Sequence, residues 1–398
     1  MRTYDTYKDS GISWLGQIPS HWDVRRTKTI WEEHVSLSET GTEQLLSVSQ
    51  YDGVKPNDEG SRSESLVGYK VVDSSNLVIN IMLAWLGGLG VSQYKGIVSP
   101  AYCVYKLKEN HCPEYFHYLY RTAMYLAEFA RKSTGVVPSR WRMYTDSFGT
   151  VLSLVPPLAE QEAIVAYLDS ATAEIDKAIA SQQRMVELLQ ERKQIIINQA
   201  VTQGLNPDAP MKPTNIDRIK RVPKHWDVCA FKRNIKINNG RDYKDYIDEK
   251  VYPVIGSGGC FVYCSRYLYD GEALLLGRKG TINKPMYING KFWTVDTMFY
   301  AIPSKQLNCK FAYFMALTFP FEYYSTQTAL PSMTQSDLGS IKVALPPYSE
   351  QIEIVNYIES SIKPVDEAIS RCEQKIALLT ERKQILINDV VTGKIKVL

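Results

Sequence analysis

The sequence predicts an α+β protein: two strand-rich domains separated by two long coiled-coil helices, the whole forming a pseudo-two-fold internal repeat. Two repeated motifs and one contrast predict it. Ile18-Pro19-Ser20-His21-Trp22-Asp23-Val24 returns 204 residues later as Val222-Pro223-Lys224-His225-Trp226-Asp227-Val228. Val155-Pro156-Pro157-Leu158-Ala159-Glu160-Gln161 returns after 190 residues as Leu345-Pro346-Pro347-Tyr348-Ser349-Glu350-Gln351, and eleven of the fifteen positions in 188–202 are identical in 378–392. The stretches between these motifs, 25–155 and 229–345, resemble each other far less and are rich in β-branched residues, Tyr and Gly, as strand-rich domains are. Two similar frames around different inserts read as a scaffold presenting two different surfaces.

The 398 residues therefore divide into an anchor segment (1–24), a first insert (25–155), a first helix (156–204), a connector carrying the repeated anchor (205–228), a second insert (229–345) and a second helix (346–398). In the first insert, 74–94 is uncharged, but Asn76, Asn80 and the Gly87-Gly88-Leu89-Gly90 break make it a buried strand with a glycine loop, not a membrane span. Short helices are expected late in each insert, over 112–131 and 308–318.

Each Pro-Pro pair blocks helix before it, and Glu160 or Glu350 falls in the first turn, where a carboxylate suits the helix dipole. A three-four spacing follows: Val165, Leu168, Thr172, Ile175, Ile179, Gln182, Val186, Leu189, Lys193, Ile196 and Ala200, matched by Val355 through Val390 in the second copy. This is a coiled-coil seam. Pro364 is expected to break or kink the second helix near Ser361. The 28 residues from Pro364 to Val391 would then span about 42 Å. Lys193 and Lys383 occupy the same seam position inside identical Glu-Arg-Lys-Gln segments. Either they set register in a helix pair, or they meet a partner helix together with Arg192 and Arg382, or they snorkel at the seam edge.

Several loops combine cations with small polar residues. Gly277-Arg278-Lys279-Gly280-Thr281-Ile282-Asn283-Lys284 holds three cations and two glycines in eight residues. Glycine permits close backbone approach, Arg binds phosphate or guanine bidentately, and Asn or Thr reads base edges. Ser257 lies in the Gly256-Ser257-Gly258-Gly259 turn, which lacks the Gly-Lys-Ser/Thr of a P-loop. In the first insert, Arg131, Lys132, Ser139, Arg140 and Arg142 form a comparable cluster, with Ser332 and Gln335 at the corresponding place in the second. Each loop alone reads as plain surface; recurrence at matching places in both halves sets a binding role level with that reading. The segment 206–236 is the most basic of the chain, with eight Lys and Arg against three Asp, and otherwise reads as a solvated connector.

Other classes are excluded. Net charge is +3, with 46 basic and 43 acidic residues, so any DNA-binding surface must be local. No apolar leader opens the chain, and a cytoplasmic protein is expected. Seven scattered cysteines, an odd number, speak against a disulfide framework, and Cys260 and Cys264 lack a nearby second Cys/His pair of suitable spacing for a metal. No Asn/Asp-Pro-Pro-Tyr/Phe methyltransferase loop, Walker motif or HExxH is present, so no catalytic residue and no metal ligand is assigned.

With Trp14-Leu15-Gly16-Gln17-Ile18-Pro19-Ser20-His21-Trp22, its return at Val222, and the two Pro-Pro-x-x-Glu-Gln…Glu-Arg-Lys-Gln helices, the chain resembles the specificity subunits of type I restriction-modification systems. Ala84-Trp85-Leu86-Gly87-Gly88-Leu89-Gly90 with 96–102 is similar to one subtype of target recognition domain, and Gly277-Arg278-Lys279-Gly280 with 292–297 to another. The resemblance implies two target recognition domains, each reading half of a split double-stranded DNA site, with antiparallel helices fixing the gap. It implies two modification (methyltransferase) subunits docked on the helices and two restriction (motor-nuclease) subunits. S-adenosylmethionine, ATP and magnesium would bind those partners, with no cofactor in this chain and no membrane. The alternatives are a recognition module of another methyltransferase-linked phage-defence complex and a coiled-coil scaffold without a DNA role.

Overall fold

The computed structural model describes all residues except 1, 59–64, 138–139, 217, 248, 327–330 and 398. It separates into two units, one comprising 1–182 with 374–398 and the other 183–373.

Both units follow one plan. In the first, Tyr7–Asp9 pairs with Gln17–Pro19, and Asp23–Arg26 pairs with Leu152–Val155. The two ends of the insert thus lie side by side, and the chain passes through Pro156-Pro157 into helix α1 (Leu158–Gln203). In the second, Met211–Ile216 pairs with Ile219–Pro223 and Asp227–Ala230 with Lys342–Leu345, ahead of helix α2 (Tyr348–Val391). The first unit takes the start of α1 and the end of α2; the second takes the end of α1 and the start of α2.

Within each unit the helix portions run antiparallel. Asp176 meets Lys383 at 2.6 Å in the first, where Leu168 shares a core with Val390. Asp366 meets Lys193 at 2.7 Å in the second, where Ile358 shares a core with Ala200. The two ion pairs are the same pair in each repeat, and the residues concerned are partly exposed. Such pairs add little stability, so their effect is to fix register. Seam residues are buried or half-buried along both helices, with exposed residues between them.

The anchor motifs clasp the helix ends. In the second unit, Glu350 in the first turn of α2 accepts from Trp226 Nε1 at 3.1 Å and pairs with His225 Nε2 at 2.7 Å. Gly204, which follows α1 with φ +74°, lies against the same Trp226 ring, so that a Cβ there would sit 3.2 Å from it. In the first unit, Glu160 pairs with His21 Nε2 at 2.8 Å and accepts from the Tyr4 hydroxyl. Burial and Glu160 push the Tyr4 hydroxyl well above its usual range, so the proton stays on Tyr4. Gly393, φ +76°, ends α2 against Pro19 and Trp22. The next residue of each motif fixes the insert. Gln161 donates to Pro156 O at 2.8 Å and accepts from Cys112 N at 3.0 Å; Gln351 donates to Pro346 O at 2.9 Å and accepts from Asn308 N at 2.7 Å. Each Gln thereby holds the start of its insert's late helices.

Two helical expectations are corrected. α2 is continuous through Pro364. Val365 is buried beside that residue, and Asp366 is tied to Lys193, so packing carries the helix past the missing N–H. The expected helix over 112–131 is two, Pro113–Tyr120 and Ala123–Lys132, broken at Arg121 and Thr122; the second insert has Cys309–Ala316.

The first insert holds strands β1 (Trp31–Glu33), β2 (Leu77–Asn80), β3 (Leu89–Val91) and β4 (Tyr102–Leu107), in the order β1-β4-β2-β3. An aromatic core lies beneath, with Tyr120 OH bonded to Trp31 Nε1 at 3.1 Å and Ser153 Oγ at 2.9 Å. The second insert is a six-stranded sheet of β5 (Ile235–Asn239), β6 (Tyr252–Gly256), β7 (Gly259–Cys264), β8 (Tyr269–Gly277), β9 (Met286–Thr294) and β10 (Met298–Pro303). Its order is β5-β10-β8-β9-β6-β7. The β8–β9 hairpin curls, bringing Tyr269 and Phe292 onto Tyr300 with ring centroids 5.9 and 6.1 Å away.

Among the described residues Trp22 Nε1 is buried without a partner, whereas Trp226 Nε1 bonds Glu350. Chemical denaturation should therefore show Trp226→Phe costing about 1–2 kcal/mol more than Trp22→Phe, although both rings are fully buried.

Candidate nucleic-acid interface

In the first unit, Thr134 and Arg142 exchange backbone hydrogen bonds of 3.0 and 2.9 Å, folding the loop after helix Ala123–Lys132 back on itself. Met143 N donates to Ile81 O at 2.9 Å. Trp141 then meets Trp85 edge-on at 5.3 Å, which joins the two motifs that the sequence singled out in this insert. Arg140 is exposed and Arg142 half-buried. Arg131 donates from Nε and Nη2 to Glu128, both at 2.7 Å, and this carboxylate raises its pKa. The charge of Arg131 is thus partly neutralised in place. Lys132 is half-buried, and Ser139 lies outside the described residues.

In the second unit the loop after β8 is pinned from two sides. Arg278 N donates to Thr297 O at 2.8 Å, Gly280 N to Pro331 O at 3.0 Å, and Met333 N to Arg278 O at 2.9 Å. Lys279 and Ser332 form an isolated bridge. The Arg278 guanidinium lies 5.9 Å from the Phe299 ring centre and donates to Asp296 O at 3.3 Å. Lys279, Asn283 and Lys284 are exposed, and Thr281 is half-buried. Gln335 donates to Ile237 O and to Asn239 Oδ1, both at 3.3 Å. The structure thus brings Arg278, Lys279, Ser332 and Gln335 to one edge formed by β5, β10 and the loop after β8. Ser257 sits apart from these, in the β6–β7 turn, half-buried.

Lys193 and Lys383 bond Asp366 and Asp176 of their own units, while Arg192 and Arg382 are exposed. Among the described residues no cluster of three His, Cys, Asp or Glu suits a metal, and no helix is long and apolar enough to cross a membrane.

Two groups of residues were not singled out by sequence. Arg121 donates to four carbonyls: Gly87 and Leu89 at 2.8 and 2.7 Å, Gln50 and Tyr51 at 3.1 and 2.7 Å. It holds the glycine loop and its neighbouring hairpin in place. Beside it His117 accepts from Val91 N at 3.2 Å, and burial together with the Arg121 charge lowers its pKa to about 4. The other group is Asn239 and Arg241 at the end of β5, where Gly240 N bonds Met298 O and Arg241 N bonds Thr294 O. An arginine inside a helical run, or an Asn-Gly-Arg after a strand, reads as ordinary surface.

A duplicated frame bearing two dissimilar loop-carrying domains is a scaffold that presents two different surfaces. Residues 223–378 match the family model of the type I restriction modification DNA specificity domain. Over nearly its full length the chain is similar to a Methanocaldococcus jannaschii protein named as the type I restriction enzyme MjaX specificity subunit, with 20% identity and 96% of each chain covered. The type I restriction enzyme EcoprrI specificity subunit of Escherichia coli is 24% identical over 33% of this chain and 34% of its own. A solved chain from work on complex assembly and conformational transition of the type I R-M system shares the fold, with a TM-score of 0.70, 15% identity, and 95% of this chain and 99% of that one covered. Residues 223–378 thus carry a type I restriction modification DNA specificity domain, and over nearly its whole length the chain is similar to a protein named as a type I restriction enzyme specificity subunit.

His117 gives the first unit a pH dependence. Its folded pKa lies below that of the unfolded chain, so the unfolded state binds the extra proton as pH falls. Stability present above about pH 6.5 should decline toward pH 4, by about 1–3 kcal/mol in all. Denaturation of His117→Gln across this range should show a flatter profile than the unsubstituted protein.

Proposed function

We propose that each insert is a target recognition domain reading one half of a bipartite, asymmetric DNA site. The helices set the gap between the halves and dock two adenine-N6 methyltransferase subunits. Two motor-nuclease subunits complete the complex, which acts in the cytoplasm. S-adenosylmethionine, ATP and magnesium bind the partners. The observation that carries this reading is the repeated Trp-His-Glu clasp holding two inserts whose loops differ. Phosphate contacts from exposed Arg and Lys supply affinity, and loop side chains supply readout.

Docking of two copies of one partner is supported by a repeated apolar surface. Tyr167, Leu378 and Ile385 are exposed in the first unit, and their counterparts Tyr357, Leu188 and Ile195 are exposed in the second. Arg382 and Arg192 lie one helical turn from Leu378 and Leu188.

Expression of the chain with its modification subunit should place N6-methyladenine in one bipartite, asymmetric motif, seen by methylome sequencing only when both are present. A confirmed complex that methylates nothing would overturn the reading. Arg278→Ala should relax one half-site and leave the other intact. One extra helical turn in both helices, after Gln182 and after Glu373, should lengthen the gap while both half-sites stay the same.

A further inference from the structure

Asn239 and Gln335 form a fixed amide pair at the edge of the second insert. The Gln335 side chain donates both its N–H bonds, one to Ile237 O and one to Asn239 Oδ1, each at 3.3 Å. That fixes which end of each amide faces out. Among the described residues, Asn239 Nδ2 and Gln335 Oε1 have no partner, and both side chains are exposed. The pair therefore leaves one donor and one acceptor free on two hydrogen-bonded side chains.

Its backbone supports are firm. Asn239 ends β5 opposite Phe299 of β10. Gln335 follows Thr334, whose hydroxyl accepts from Asp337 N at 3.1 Å while Asp337 accepts from Thr334 N at 3.0 Å, a closed capping box. Arg278 lies over the Phe299 ring, and Lys236, Arg241 and Lys279 are exposed around the same edge.

In the major groove, adenine alone shows an acceptor, N7, next to a donor, N6–H; guanine shows two acceptors, and cytosine a lone donor. We propose that Asn239 and Gln335 together read one adenine in the half-site of the second insert, Asn239 Nδ2 donating to N7 and Gln335 Oε1 accepting from N6. Arg278, over the ring of Phe299 that pairs with Asn239, would contact a neighbouring base or phosphate. This rests on the reading of the insert as a DNA half-site reader.

The test uses the full chain in complex with its modification subunit, with methylome sequencing and equilibrium binding to the methylated motif. Asn239→Asp keeps the shape and the bond from Gln335 but turns the free donor into an acceptor. Adenine at one position of one half-site should lose preference, with affinity for the original site falling about 5- to 150-fold and cytosine gaining. Gln335→Ala should relax the same position. An unchanged motif for Asn239→Asp, in a complex whose unsubstituted form reads a bipartite site, would overturn the amide pair alone. Uniform loss across both half-sites in Asn239→Asp, with unchanged melting, would assign these residues a structural role instead. A bipartite motif missing from the unsubstituted complex would overturn the function itself.

Discussion

The fold depends on a carboxylate held at the start of each long helix. Glu160 and Glu350 sit where the helix dipole favours negative charge, and each is gripped by the histidine of its anchor motif. The same motif's tryptophan receives the glycine that ends the other helix, Gly393 in one unit and Gly204 in the other. One seven-residue motif therefore fixes the beginning of one helix, the end of its antiparallel neighbour and the doorway of an insert. Without it the helix pair has only a narrow apolar seam and partly exposed ion pairs to hold its register.

The two copies solve the same problem with different atoms. Glu350 takes its second donor from Trp226, whereas Glu160 takes it from Tyr4 and leaves the Trp22 indole N–H unmatched. The geometry of the clasp is kept while its chemistry drifts. Within the inserts the drift is complete. The first stabilises its glycine loop by a half-buried arginine bonded to four carbonyls, and the second pins its basic loop through backbone bonds to two other loops.

Much of the frame was legible because repetition marks it. The returning His-Trp and Pro-Pro-x-x-Glu-Gln segments announce their importance, and the three-four spacing announces the seam. The pairing of those two motifs with each other was not legible, since 139 residues separate His21 from Glu160. Pro364 was misleading, because propensity gives way where Val365 and Asp366 are held by a neighbouring helix. The basic loops could be found by composition. Asn239 could not, because its meaning comes from Gln335, which sequence places 96 residues away, and Arg121 could not, because a half-buried cation hydrogen-bonded to backbone carbonyls leaves no pattern of charges.

The entry and exit strands of each insert are hydrogen-bonded neighbours: Asp23–Arg26 beside Leu152–Val155, and Asp227–Ala230 beside Lys342–Leu345. A domain attached by two adjacent strands can be replaced wholesale without moving its frame. Genetic crossovers in the flanking repeats, one in the His-Trp motif and one at Pro-Pro, would graft a foreign insert at both points together. The repeated stretches that organise the molecule are thus also stretches of internal homology at which one insert can be exchanged while the other stays.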